Sequence, residues 1–354
     1  MPWIDREAYL ALVKGTTRGP FAALARLGLS VLSQGYSVGA WARNRAFDQG
    51  GRRVHNAAVP VISVGNLTLG GTGKTPMVEW LARRARRDGV RVAVLSRGYG
   101  TSTGLNDEGR VLEENLPDVP HLQGPDRVGL ARIAVDELES QLILLDDGFQ
   151  HRRLARDLDI VLLDALDPFG LGRLFPRGLL REPVSSLRRA QIVVLSRADL
   201  VDGGRRAAIR AQAERKADKR VWVEARHTPL DLLDSDGAAR PIAELAGKRV
   251  VAFCGIGNPE GFRRTMEGIG VAPVAFVVFP DHHAYDRRNI EDLTGLAARE
   301  QADLVLTTQK DLVKVRAPRL GPTPLLALRI GLEVLEGGDS LERAVAEVLA
   351  HCPA

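Results

Sequence analysis

Cysteine is all but missing from this chain: its 354 residues include two, Cys254 and Cys352, far apart. They supply neither a disulfide framework nor a metal-ligand cluster, so a reducing cytoplasm is the simplest setting. Long apolar runs are also lacking. The most apolar helical stretch, residues 20–47, is interrupted by Arg26, Gln34 and several glycines, which makes it a poor membrane span. Met1-Pro-Trp-Ile-Asp-Arg-Glu has no basic start followed by an apolar core, so a secretory leader is not expected. Internal repeats and low-complexity segments are absent as well. Charge is plentiful, with a formal net of +5 and a pI near 9.4. That balance allows an anionic partner such as a nucleotide, a phospholipid surface or nucleic acid. With 45% hydrophobic and 26% charged residues the composition is that of a soluble globular protein. The length favours two domains over one core.

The most informative stretch is Val61-Ile-Ser-Val-Gly-Asn-Leu-Thr-Leu-Gly-Gly-Thr-Gly-Lys-Thr-Pro76. A β-branched run, a glycine-rich turn and a helix start form a phosphate cradle, with freed backbone N–H groups at the positive end of the helix dipole. Lys74 is placed to reach the β- and γ-phosphates, and the Thr75 hydroxyl to hold Mg²⁺. Pro76 suits a first helical turn. The usual first glycine is Thr68 here, and Gly70 and Gly71 supply the flexibility instead. Thr68, Leu69, Gly70, Gly71, Thr72, Gly73, Lys74 and Thr75 are therefore the expected nucleotide-binding residues.

Strands and helices alternate from this point, which predicts a doubly wound, mostly parallel α/β sheet of the P-loop NTPase type. The helix through about Arg87 carries Met77, Trp80, Leu81 and Ala85 on one face, with the arginine run at 83–87 mainly on the other. Those arginines read as a solvated face, not a nucleic-acid site. The apolar run Leu142-Ile-Leu-Leu-Asp146-Asp147 supplies the carboxylates that anchor Mg²⁺ beside a phosphate loop. Ile192-Val-Val-Leu-Ser-Arg-Ala-Asp199 is a further strand; Ser196 and Arg197 stand where a guanine reader would have Asn and Lys, so GTP is not indicated. Helical residues 20–47 carry Arg43 and Arg45 near their end, with Arg52 and Arg53 just beyond. They read either as a helix lying in a membrane interface or as one covering the domain surface.

Three more clusters carry reactive groups: Asp146-Asp-Gly-Phe-Gln-His-Arg-Arg153, Phe175-Pro-Arg-Gly-Leu-Leu-Arg-Glu-Pro183 and Phe279-Pro-Asp-His-His-Ala-Tyr285. Together with the phosphate loop and Ser-Arg97-Gly-Tyr-Gly100, in this order, they resemble the tetraacyldisaccharide 4′-kinases of lipid A synthesis. The resemblance runs from about residue 60 to 315. It implies ATP and Mg²⁺ as cofactors and a lipid disaccharide 1-phosphate as substrate, phosphorylated on its 4′-hydroxyl at the cytoplasmic face of the inner membrane. It also implies a smaller domain that closes over the nucleotide. An anionic membrane surface is the expected partner; no nucleic acid and no obligate protein partner are expected.

Matched residue by residue, the family's catalytic Asp–His dyad falls on Asp107 and His282, with Asp118 as the fallback carboxylate. Asn106 and Gly109 depart from the family's Gly-Asp-Glu-Pro pattern around Asp107-Glu108. Lys74 and Arg181 are the other expected catalytic residues. Thr75, Asp146, Asp147 and Glu108 are expected at the metal, and Arg97, Tyr99, Gln150, His151, Arg177, Arg181 and Glu182 at the substrate. The expected organisation is a membrane-associating segment 1–53, a kinase core 54–225, a linker 226–247 and a smaller α/β domain 248–354. On this reading the loop 279–285 delivers His282 to Asp107 only on closure. A regulatory nucleotide hydrolase of the metal-insertion or protein-targeting kind is the rival reading. A non-catalytic membrane adaptor is the third, and it leaves the phosphate loop and paired aspartates unexplained.

Overall fold

The computed structural model describes residues 6–98 and 107–353. Two helices come first, α1 (Arg6–Lys14) and α2 (Pro20–Asp48), then β1 (Val61–Asn66), α3 (Lys74–Arg87), β2 (Val92–Ser96), α4 (Asp107–Asn115), β3 (His121–Gln123), α5 (Arg127–Asp136), β4 (Leu142–Asp146), β5 (Leu158–Asp164) and β6 (Ile192–Ser196). α6 (Gly203–Ala217), β7 (Val221–Leu233), β8 (Ala239–Arg240), β9 (Val250–Cys254), α7 (Pro259–Gly268), β10 (Ala275–Val278), α8 (Arg287–Arg299), β11 (Leu304–Thr308), α9 (Gln309–Val315), β12 (Arg319–Leu320), β13 (Thr323–Glu336) and α10 (Gly338–Leu349) complete the order.

One sheet runs through the molecule in the order β10-β9-β11-β13-β7-β6-β5-β1-β4-β2-β3. Its pairings are parallel except where β7 meets β13 and β8 and where β12 meets β13. Every residue of β1, β4 and β6 is buried. Such apolar runs are what a sheet covered on both faces requires. The chain leaves β1 on one side for β2 and β4, then crosses to β5 on its other side. That reversal opens a crevice at the carboxyl end of β1, where ligands of open α/β sheets bind.

The expected linker is a correction. Residues 226–233 are strand: β7 continues through them, pairing with β13 from Glu224↔Glu336 to Leu233↔Ala327. Polar residues and Pro229 obscured its alternation in the sequence. The C-terminal part of the expected smaller domain also returns to the first core. Leu341, Val345, Val348 and Leu349 of α10 share a buried cluster with Ile62, Met77 and Leu158. The two halves are thus joined by a pair of long strands.

α2 is anchored on one side only. Tyr36 Oη donates to Arg181 O at 2.9 Å, Ser33 Oγ donates to Leu174 O at 2.9 Å, and Arg43 and Asn44 meet the fully buried Glu182 at 3.0 and 3.1 Å. Phe21, Leu24, Leu27, Val31, Leu32, Val38 and Trp41 are exposed. No helix among the described residues is long and apolar enough to cross a membrane.

Candidate active site

The phosphate loop is held open by geometry that only glycine allows. Gly73 caps α3 with φ 86°, and a Cβ there would lie 2.4 Å from His227 Nε2. Under the loop, Ser196 Oγ donates to Thr72 O at 2.8 Å, and Arg197 Nη1 donates to Gly71 O at 3.1 Å. These contacts hold two of the loop's carbonyls, and the loop itself lines the crevice. Ser196 and Arg197, which rule out a guanine-reading motif in the sequence, form the floor of the loop. Arg197 is itself fixed by Asp164 at 2.5 Å, and Asn258 of the second half reaches the same carboxylate at 3.3 Å. His227, in the segment read as linker, is kept neutral by burial and by the Arg197 charge.

Asp146 ends β4 in register with Val64 of β1, and Asp147 follows it. The turn after them closes only because residue 65 is glycine: a Cβ on Gly65 would meet Phe149 Cβ at 2.5 Å. The two carboxylates have different surroundings. Burial would raise Asp147, but Lys74 and Arg181 bring it down to about 2; Lys74 Nζ lies 3.6 Å away and Arg181 Nη1 at 2.8–2.9 Å. Asp146 is pushed up to about 7 by burial and by the nearby Glu108 charge. Its Oδ1 is buried without a hydrogen-bond partner.

That orphaned oxygen, the adjacent Glu108 and the buried Thr75 are an all-oxygen donor set of the kind Mg²⁺ takes alongside phosphate oxygens. The residues fit the ion. Asp147, also expected at the metal, is instead occupied by the two cations.

On the far wall, His282 Nδ1 lies 2.9 Å from Asp107 Oδ2. The loop carrying it is pinned by His282 N donating to Gly255 O at 3.2 Å, and His282 adopts φ 59°. The Asp107 hydrogen bond raises the imidazole pKa above its ordinary value. Burial would raise Asp107, but His282, Lys310 and Lys314 outweigh it and bring Asp107 to about 2. Asp107 and His282 are thus in contact in this structure. Asp118, the fallback, pairs with Arg86 and does not line the cavity.

A cavity of about 950 Å³ joins these groups and is lined by the phosphate loop, Arg97, Asp146, Gln150, His151, Arg181 and His282, with Tyr36 and Arg43 of α2 at one edge. His151 is lowered to about 4 by burial and by Arg127, Arg156 and Arg153, so its imidazole is neutral, and its Nε2 has no hydrogen-bond partner. Two expected substrate residues lie elsewhere. Arg177 donates to Val13 O at 3.0 Å, under the N-terminal helices. Glu182 is fully buried among Arg43, Asn44 and Arg189. Both anchor the N-terminal helices. Tyr99 lies outside the described residues. Sequence reasoning missed Lys310, whose Nζ is 2.5 Å from Glu108 Oε1, because nothing around Thr307-Thr308-Gln309-Lys310-Asp311 marks it as ligand-facing.

A phosphate loop, carboxylates at the end of the neighbouring strand and an Asp–His pair lining the same cavity are the arrangement of a P-loop kinase. Residues 25–350 match the family model described as tetraacyldisaccharide-1-P 4′-kinase. The chain is 42% identical over 351 residues to the tetraacyldisaccharide 4′-kinase of Anaeromyxobacter dehalogenans (strain 2CP-C), covering 93% of this chain and 92% of that one. It is 38% identical to that of Syntrophus aciditrophicus, with 94% of each covered. A crystal structure of LpxK from Aquifex aeolicus in complex with ATP superposes with a TM-score of 0.73 at 30% identity, over 92% of this chain and 99% of that one. The chain belongs to the tetraacyldisaccharide 4′-kinase family, and the hydrolase reading is not favoured.

Proposed function

We propose that this ATP-dependent kinase positions the 4′-hydroxyl of a tetraacyldisaccharide 1-phosphate between the phosphate loop and the Asp107–His282 pair, at a membrane surface. The observation that carries the reading is the 2.9 Å Asp107–His282 contact on the wall facing the phosphate loop. Asp107 takes Nδ1, which leaves Nε2 toward the cavity. A carboxylate near 2 is a poor proton acceptor, whereas a neutral imidazole with a raised pKa is a good one. His282 Nε2 therefore accepts the hydroxyl proton, and Asp107 fixes the tautomer and stabilises the imidazolium. Lys74 leaves Asp147 for the phosphates, and Arg181 and the neutral His151 orient the sugar and its phosphate. Mg²⁺ bound by Thr75, Asp146 and Glu108 would offset charge on the phosphate oxygens.

The bare apolar stripe of α2 lies beside the cavity edge formed by Tyr36 and Arg43. This supports the interfacial reading of the helix: it lies on the cytoplasmic leaflet and brings the cavity mouth to a lipid that stays in the bilayer.

The pH dependence of kcat/KM tests the proton route. A raised His282 pKa means the free enzyme is protonated, and inactive, until the pH passes above about 6.5, so the acid limb should fall at or above that value. Asp107→Asn should lower both the rate and the position of the limb. A profile flat from pH 5 to 8 would assign the proton to Asp107 instead.

A further inference from the structure

The second half contributes a cation that neither the phosphate-loop motif nor the dyad accounts for. Lys310 stands in the first turn of α9, and its Nζ donates to Glu108 Oε1 at 2.5 Å. Glu108 also feels Lys74. The carboxylate thus meets an ammonium of the second half and feels one of the first. Lys310 lines the same cavity as Lys74, Asp146, Asp281 and His282.

A structural latch does not explain it, because its neighbour already makes one. Gln309 Nε2 donates to Asn115 Oδ1 at 2.9 Å and Glu114 Oε2 at 3.0 Å, and Asn115 Nδ2 donates to Glu79 Oε1 at 2.8 Å. The Thr308 side chain caps α9 by accepting from Asp311 N. The backbone on both sides of Lys310 is therefore fixed, while its half-buried side chain reaches into the cavity on a flexible stem.

We propose that Lys310 is a catalytic residue: when the triphosphate fills the cavity, its ammonium turns from Glu108 to a non-bridging oxygen of the γ-phosphoryl group, opposite Lys74. The inference rests on the kinase reading above. In the transfer, the bond from Pγ to the β,γ-bridging oxygen breaks and its electron pair leaves on ADP. The bond from the 4′ oxygen to Pγ forms, and the hydroxyl proton goes to His282 Nε2. Lys310 exchanges no proton. It offsets charge on the equatorial oxygens as they swing through the in-line arrangement.

The test compares binding of MgADP and of the β,γ-imido analogue of MgATP to Lys310→Met by calorimetry, together with kcat on the lipid substrate. A residue that contacts the γ-phosphoryl should leave ADP within about twofold of wild type and weaken the imido analogue by about tenfold or more. kcat should fall about 10²–10³-fold, the usual loss for one transition-state charge contact. Equal losses for both nucleotides would make Lys310 a latch and overturn the proposal, as would a kcat within threefold of wild type. Should Lys310→Met melt early, Lys310→Cys before and after aminoethylation carries the test: restoring the ammonium should restore both readouts, and failure to restore them contradicts the proposal. Lys74→Ala separates the two levels. If the wild-type protein transfers no phosphoryl group to the lipid, the kinase reading fails; if Lys74→Ala abolishes transfer while Lys310→Met does not, only the present inference fails.

Discussion

Single residues decide whether the phosphate loop and the Asp146-Asp147 carboxylates meet. Gly65 leaves room for Phe149, whose backbone N would lie 2.7 Å from a Cβ at residue 65. Gly65→Ala must push the Asp146-Asp147 turn off β1. A cost of about 1–3 kcal/mol in unfolding free energy is expected, as for other overpacked cores, with ATP affinity reduced in parallel; denaturant titration and nucleotide binding measure the two. Lys74→Ala should abolish phosphoryl transfer with its circular dichroism unchanged, since the side chain contacts Asp147 at the cavity wall and no core group. Asp107→Asn and His282→Ala should each lower kcat about 10²–10⁴-fold, the range for a general base. If the pair acts as one unit, the double variant should be scarcely worse than either single; multiplicative losses would mean independent roles. Much of this was legible in the sequence, since Lys74, Thr75 and Asp146 belong to compact local motifs. The Asp107–His282 contact spans 175 residues, and only the family resemblance linked its members. Arg177 and Arg181 are four apart in one arginine-rich loop, yet the backbone sends the first under α1 and the second into the site. Nothing in composition separates them.

At the level of elements, α2 has two faces, one anchored to the protein and one exposed. Its anchored face depends on Glu182, fully buried against Arg43, Asn44 and Arg189. Glu182→Ala leaves two guanidiniums without their carboxylate, and removing one partner of a buried ion pair typically costs about 3–5 kcal/mol. Arg43 is partly exposed, so the lower end is expected, read as a fall in Tm. The bare face depends on its apolar stripe. Leu27→Glu with Val31→Glu should leave Tm unchanged and sharply weaken sedimentation with anionic vesicles, because these side chains touch no core. Turnover of a short-chain, detergent-soluble substrate should suffer much less than turnover of vesicle-embedded lipid. Unchanged sedimentation would place the membrane contact elsewhere. The helix and its arginines could be read from sequence; which face the protein covers could not, because apolar residues fall all around the helix.

Across the whole molecule, the site is built from two halves that share one sheet. β7 and β13 carry the chain between them, and the phosphate loop, Asp146 and Arg181 come from one half while His282, Lys310 and Asn258 come from the other. Sequence alternation predicted the parallel sheet correctly, because strands buried on both faces are apolar throughout. It missed β7 beyond residue 225 and all of β13, whose middle residues are only partly buried and therefore lack a clean apolar pattern. The most direct measurement is phosphorus NMR of the product formed from ATP and a tetraacyldisaccharide 1-phosphate by the intact protein. A new phosphomonoester coupled to the 4′ position, formed in equal amount to ADP and missing with Lys74→Ala, is the predicted result. ADP formed at the same rate without the lipid, with free phosphate and no 4′ signal, would contradict the account.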